Sequence, residues 1–402
     1  MKSIELFAGA GGLALGTADA GFHHTIVVER DANACATLRK NHDAGVRHVR
    51  DWEILETDVA LVDFRRYQGE PDFVCGGPPC QPFSLGGKHR GHQDHRNMFP
   101  QAIRTIREVR PKAFVFENVK GLLRKSFANY YSYIIHQLRL PTITRRGDED
   151  WKQHLSRLER LHTSGEQADL CYRVVYRVVN AVDYGIPQHR WRVFIAGIRS
   201  DLGAEFCFPQ ATHEEDALLF DQWVTGEYWE RHRIPRRSRP AMPSGLARRV
   251  ERLRTLFPGM LLRPWLTVRD AISDLPRIAM GDRSTSIANH FLNPGARSYP
   301  GHTGSPYDEP AKALKAGDHG VPGGENTLRL ADGSVRYFSV RECARLQTFP
   351  DEWTFEGSWT ESMRQLGNAV PVKLAEAVAR PLATLIRQAG MVTPSVSSPT
   401  RG

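Results

Sequence analysis

Over residues 1–120, short apolar runs alternate with segments whose apolar residues recur every three or four positions. "KSIELF" predicts a buried strand running into the glycine turn "AGAGG", and "LALGTADAG" predicts a helix closed by Gly21. "HTIVVE" predicts a second strand ending at Glu29, followed by a helix over "DANACATLRKNH" with Asp31 as its cap. Strands over "DFVC" (72–75) and "AFVFE" (113–117) flank a helix over "FPQAIRTIREV". This alternation predicts an α/β domain with a mainly parallel, doubly wound sheet. Such sheets bind ligands beyond the carboxyl ends of their strands, where the glycine turn, Glu29, Cys80 and Glu117 all fall. These groups are expected to share one cleft.

The pattern then changes. Residues 141–170 are polar and predict an inserted helix with loops, after which "CYRVVYRVVNAVDYG" and "WRVFIAGI" read as strands. Beyond Arg199, Pro, Arg and Gly dominate until about Tyr337, which marks 200–336 as a second, smaller domain poor in helix. Regular periodicity returns in "SVRECARLQTF" and "NAVPVKLAEAVARPLATLIRQA", so 1–199 and 337–390 together form the main domain. Residues 391–402 predict a disordered tail.

Composition narrows the function classes. The 402 residues are 41% hydrophobic and 25% charged, ordinary for a globular chain of two domains. No apolar run is long enough to span a bilayer and "MKSIELFAGAGG" lacks a signal-peptide core, so a cytoplasmic, membrane-free protein is expected. Six cysteines without a C-x-x-C pair suggest neither a zinc site nor a disulfide framework. The net charge of +9 and a pI near 9.3 favour a polyanionic partner. Between Glu230 and Arg263, ten arginines face only the acids Glu230 and Glu251. Arginine without lysine suits phosphate and base-edge contacts, which makes Arg236, Arg237, Arg248 and Arg249 candidate DNA ligands.

The sharpest chemistry lies in "GGPPCQPFS" (76–84), where Pro78 and Pro79 hold Cys80 on a stiff turn, presented instead of packed. In the core Gly9-x-Gly11-x-x-Ala14, with Gly12 inside it, the glycines suit a tight strand-to-helix turn around a cofactor. Glu29, about twenty residues on, is placed to bind ribose hydroxyls. A nicotinamide dinucleotide and S-adenosylmethionine both remain open on these residues. Gln188, Arg190 and Arg192 alternate as if on one face of a strand.

The order "GGPPCQPFS", "FENV" (116–119), "QHRWR" (188–192), "RECARLQTFP" (341–350) and "QLGNAVP" (365–371) resembles the DNA (cytosine-5)-methyltransferases of bacterial restriction-modification systems. The resemblance covers about 1–200 and 337–390. It implies a Rossmann-like S-adenosylmethionine-dependent methyltransferase domain with a smaller target recognition domain, acting on double-stranded DNA as a monomer, with a possible cognate restriction endonuclease. S-Adenosyl-L-methionine would be the cofactor and S-adenosyl-L-homocysteine the product. The implied cofactor ligands are Phe7, packed on adenine, Gly9, Gly11, Gly12, Glu29, Pro78, Asn368 and Asp58, on the adenine amino group; Asp51 lies too far from Cys80 in spacing to compete.

Methylating C5 of cytosine requires a nucleophile at C6, because the ring carbon is unreactive until aromaticity is broken. Cys80 would supply it, Glu117 would bind N3 and the amino group, Arg192 would bind the base and Arg190 would help position the site. Gln81, Ser84 and Lys88 would contact DNA, from a loop "SLGGKHRGHQDH" expected to close on a flipped-out base. Two departures stand out: Arg30 replaces the apolar residue common after Glu29, and "RNMF" (96–99) matches the next cofactor motif only loosely. A tRNA-methylating relative, a decayed DNA-binding regulator and a nicotinamide dehydrogenase are the competing readings. The long arginine-rich segment, the intact Cys80, Glu117 and Arg192, and the absence of any hydride-transfer role for "PPCQPFS" weigh against them in turn.

Overall fold

A computed structural model describes residues 1–79, 97–164, 168–255, 259, 261–279, 281–282, 286–298, 300, 303–316 and 326–391. Cys80, Gln81, Ser84 and Lys88 lie outside them, as does the tail from residue 392 on. Seven strands build the central sheet: β1 (Lys2–Leu6), β2 (His23–Glu29), β3 (Glu53–Glu56), β4 (Phe73–Gly76), β5 (Ala113–Val119), β6 (Tyr172–Asn180) and β7 (Trp191–Arg199). Their order is β3-β2-β1-β4-β5-β7-β6. The pairs among β1 to β5 are parallel, whereas β7 runs antiparallel to both β5 and β6. The α/β expectation therefore holds, with an antiparallel pair closing one side.

Period-two alternation explains the three layers. Ile4, Leu6, Val74, Phe114 and Phe116 pack into one core cluster with α3 (Phe99–Val109) and α4 (Ala128–Arg139). The intervening residues Phe73, Cys75, Ala113 and Val115 join a second cluster on the opposite face. That face carries α1 (Gly12–Asp19), and α2 (Ala32–Asp43) follows, capped by Asp31, whose side chain accepts from Ala34 N. The predicted insertion is α5 (Trp151–Ser164), seated on α4 through Tyr133, Leu140 and Leu158.

The described part of residues 200–336 holds only short elements. They include the helices α6 (Glu215–Phe220), α7 (Glu227–Arg231), α8 (Ala247–Leu253) and α9 (Val268–Ile272). Their two-stranded pieces are β8 (His213–Glu214) with β9 (Arg263–Pro264), and β10 (Thr327–Arg329) with β11 (Val335–Tyr337). Leu218, Tyr228 and Trp229 form a small local core, while Val268, Ile272, Ala311 and Leu328 share a cluster with Trp353 and Leu366. The chain returns through α10 (Val340–Leu346), α11 (Trp359–Asn368) and α12 (Val372–Met391). Met391 thus ends a helix, one residue inside the segment expected to be a tail. No helix among the described residues is long and apolar enough to cross a membrane.

The return is fastened by side chains of its own motif. Ser339 and Glu342 form a reciprocal capping box on α10. Arg341, fully buried, donates to the carbonyls of Ala288, Pro350 and Trp353. Helix α12 and the residues just before it then lie on α1 so closely that a Cβ at Gly12 would stand 2.3 Å from Val370 O, and one at Gly16 2.2 Å from Val372 O.

Gly16 gives a test with an unambiguous sign. Alanine in a helix is ordinarily worth about 1 kcal/mol over glycine, yet here the added methyl meets backbone that cannot swing aside. Gly16→Ala is expected to destabilise the fold by about 1–3 kcal/mol in urea unfolding. Stabilisation would show that α1 and α12 are not in this contact.

Candidate active site

Beyond the carboxyl ends of β1, β2, β4 and β5 lies a cavity of about 780 Å³, within the range of small-molecule sites. Its wall includes Phe7, Gly9, Glu29, Asp58, Pro78 and Glu117, with Asn368 contributed by the returning chain. Of the groups expected to share one cleft, Gly9 of the glycine turn, Glu29 and Glu117 line it.

The first wall is the turn after β1. Phe7 (φ 56) and Gly9 (φ 53) both adopt left-handed conformations, costly for Phe and free for Gly. Glu29 holds the turn: its Oε2 accepts from Gly9 N at 2.7 Å, and its Oε1 from the amides of Arg30 and Asp31 at 2.8 Å. The carboxylate at the end of β2 therefore shapes the loop it faces. Asp58 caps a turn through Ala60 N and pairs with Arg30 at 3.3 Å, so the departure at Arg30 brings a cation beside the predicted acid. Gly11 and Gly12 do not reach the wall. A Cβ at Gly11 would meet Leu38 and Trp353, and one at Gly12 would meet Val370, so both serve close packing and not ligand approach.

The second wall carries Glu117, which is 8% exposed near the end of β5. Arg192 Nε stands 2.7 Å from Glu117 Oε1, an ion pair without an aligned hydrogen bond, since that oxygen lacks a hydrogen-bond partner. Burial pushes the Glu117 carboxyl above its ordinary range, against the pull of Arg192 and Arg190. A carboxyl shifted in this direction is suited to exchanging a proton with a ligand base. Asn118 donates to Pro78 O at 2.9 Å and so ties this strand end to the proline turn that leads into residue 80.

Gln188, Arg190 and Arg192 do not share a strand. Pro187 precedes them, Gln188 bridges Ala311, and β7 begins only at Trp191. Gln188 and Arg190 converge on Leu314, whose N–H donates to Gln188 Oε1 and whose carbonyl accepts from Arg190. Arg190 is fully buried and also donates to the carbonyls of Gly367 and Ala369, at 2.6 and 2.8 Å. It therefore fixes the residues on both sides of Asn368.

Of the candidate DNA ligands, Arg249 is occupied within the fold by Asp216 at 2.5 Å and Glu215 at 2.8 Å. Arg236, Arg237 and Arg248 are exposed and make no ion pair among the described residues. Two charged residues of the cavity wall escaped the sequence reading. Arg364 lies four residues before Asn368 on α11, hence on the same helix face, and bonds Asp31 and Glu361. Glu5 alternates with Ser3 on the helix-facing side of β1, a polar i, i+2 pair inside an apolar run that signalled buried chemistry.

Glu5 is fully buried, accepts from Cys75 Sγ, and leaves its Oε1 without a partner at the cavity. Burial raises its pKa from 4.5 to about 8. Behind it, Thr17 bonds His24 Nε2 at 2.9 Å and Ser3 bonds His24 Nδ1 at 3.0 Å. Burial lowers the His24 pKa from 6.5 to about 3, which keeps that imidazole neutral.

The model of the C-5 cytosine-specific DNA methylase family matches residues 1–140, 152–256 and 267–384. The type II methyltransferase M.PspPI of Psychrobacter sp. strain TA137 is 33% identical over 390 residues, 96% of this chain and 80% of its own length. M.Eco47II of Escherichia coli, also a type II methyltransferase, is 33% identical over 95% of this chain and 79% of its own. Among solved structures, the Schizosaccharomyces pombe Dnmt2 methyltransferase shares the fold with a TM-score of 0.53 at 16% identity, covering 96% of this chain and 99% of that one.

Because the folded Glu5 holds its proton to about pH 8 while the unfolded group loses it near 4.5, folding stability falls as pH rises between those values. The slope from this group approaches about 1.4 kcal/mol per pH unit. Glu5→Gln is expected to remove that slope, so that the stability difference between variant and wild type grows across this window in denaturant titrations. A difference independent of pH would mean that Glu5 ionises freely.

Proposed function

The chain belongs to the C-5 cytosine-specific DNA methylase family, and from that premise we propose that it methylates C5 of a cytosine rotated out of a short duplex target, through a covalent bond from Cys80 to C6. It is a cytosine-5 DNA methyltransferase of restriction-modification type. The observation that carries the finer reading is the single cavity shared by Glu117, Glu29 and Asn368 with Pro78 and Pro79, the residues leading directly into Cys80.

The family's fold uses S-adenosyl-L-methionine, and the residues here fit it. Glu29 Oε2 keeps a lone pair beyond its bond to Gly9, suited to a ribose hydroxyl, and Asp58 offers acceptors for an adenine amino group. Glu5, kept protonated by burial, lines the same pocket as a neutral carboxyl. Asn368 and Phe7 would close and line the pocket. The cofactor supplies an electrophilic methyl group. Gly11 and Gly12 support it only through packing.

In this reading the Cys80 thiolate adds to C6, the C5–C6 π pair shifts toward C5, and N3 gains electron density that Glu117 meets with a hydrogen bond. The raised pKa of Glu117 favours the protonated form that can donate it. Arg192 holds the carboxyl in place. After C5 has been methylated, loss of its proton and departure of the thiolate restore the aromatic ring. The exposed Arg236, Arg237 and Arg248 would contact phosphates, and methylation would protect the site from a nuclease of the same specificity.

A duplex containing 5-fluorocytosine tests the covalent step, because fluorine cannot leave as the C5 proton does. A denaturation-resistant protein–DNA adduct that requires S-adenosylmethionine is expected, lost in Cys80→Ser and kept in Cys75→Ser. Glu117→Gln is expected to lower kcat by about 10²- to 10⁴-fold. An adduct that survives without the Cys80 sulfur, or a methyl group found on N4, would refute the mechanism.

A further inference from the structure

Just past the strand ends that carry Glu117 and Arg192, the same two strands present an exposed pair that the catalytic reading does not use. Val119 pairs with Arg192 at the end of the β5–β7 ladder, and Lys120 and Trp191 are the next residues outward. Trp191 is 46% exposed, unusual for the largest side chain on a strand of the central sheet. Lys120 Nζ lies 4.6 Å from the centre of its ring, a cation–π contact that restricts where this long side chain points. The Trp191 carbonyl also accepts from Arg192 Nη1 at 2.8 Å, so the rim is bonded to the cleft.

The charge around this pair is one-sided. No acidic residue occurs between Glu117 and Asp148, whereas Lys120, Arg124 and Lys125 fall in the two short helical turns Lys120–Leu123 and Lys125–Phe127 or between them. None of the three forms an ion pair among the described residues. Arg104, Arg157, Arg199 and Arg345, on other surfaces, each have a carboxylate partner. Unpaired cations grouped beside an exposed aromatic are the pattern of a surface that tracks a nucleic-acid backbone. Lys120 stands at the cavity mouth, since Val119, one residue before it, lines the cavity.

We propose that Lys120, Arg124 and Lys125 bind backbone phosphates of duplex DNA next to the nucleotide drawn into the cleft, with Trp191 as the positioning residue that holds Lys120 in register. The inference rests on DNA being the substrate, and it adds a contact surface on the catalytic sheet, separate from the arginine-rich segment. A phosphate contact here would anchor the strand within reach of Glu117 and thereby oppose return of the base to its stack.

The test measures binding of a mixed-sequence duplex across a salt series, together with S-adenosylmethionine affinity. Lys120→Ala is expected to weaken DNA binding about three- to tenfold at moderate salt and to lower the log–log salt slope by about one unit. Lys120→Arg restores the slope, Trp191→Ala weakens binding and Trp191→Phe largely retains it, and cofactor affinity is unchanged in all four. If Lys120→Ala and the triple alanine variant of Lys120, Arg124 and Lys125 bind DNA with wild-type affinity and slope, the proposal is overturned. Failure of the underlying reading looks different: the wild type itself would then leave cytosine C5 unmethylated.

Discussion

The architecture of the cleft depends on one buried guanidinium. Arg190 has no exposed surface, and no carboxylate bonds it; its Nη1 and Nη2 donate to the carbonyls of Leu314, Gly367 and Ala369, while its Nε is buried without a partner. Burying an isolated charge costs several kcal/mol, offset only where its donors are satisfied. Each bond to a charged group returns about 1.5–3 kcal/mol, and the planar fork of arginine can reach several carbonyls at once where lysine cannot. Two of those carbonyls flank Asn368, so the last part of the cavity wall is set by a residue 178 positions earlier in the chain. Gln347 reinforces the same strap, donating to Leu366 O at 2.6 Å.

From this clamp the rest of the site follows. The strap from Gly367 to Val372 brings Val370 O against Gly12 and α12 against α1, which seats the first wall of the cavity. The second wall is electrostatic: Glu117 and Arg192 form a buried pair, and Arg190 is close enough to feel both. Two cations near one carboxyl counter burial without cancelling it, and the acid is left with a raised pKa. Glu5, on the helix-facing side of β1, is a second buried acid with a free oxygen at the same cavity.

Much of this was legible in the sequence because local periodicity and turn chemistry set it. The strand ending at Glu29, the strand that carries Glu117, the Asp31 cap and the return through "RECARLQTFP" follow from apolar spacing and capping residues. What stayed hidden depends on contacts distant in the chain. The acids that occupy Arg249 lie more than thirty residues before it, so a local charge count missed them. Gly11 and Gly12 match a ligand-binding turn, yet helix packing selects glycine equally well. Gln188 and Arg190 mimic strand alternation although Pro187 delays the strand to Trp191.

The claim that Arg190 organises the cleft is tested most directly by hydrogen exchange in Arg190→Lys, a change that keeps the charge and loses the fork. The account predicts that amides 366–370, including that of Ala369, which donates to Gln365 O, exchange at least about tenfold faster, as loss of one charged hydrogen bond implies. Protection in β1 and β4 should stay as in the wild type. Wild-type protection across 366–370 in the variant would contradict the account.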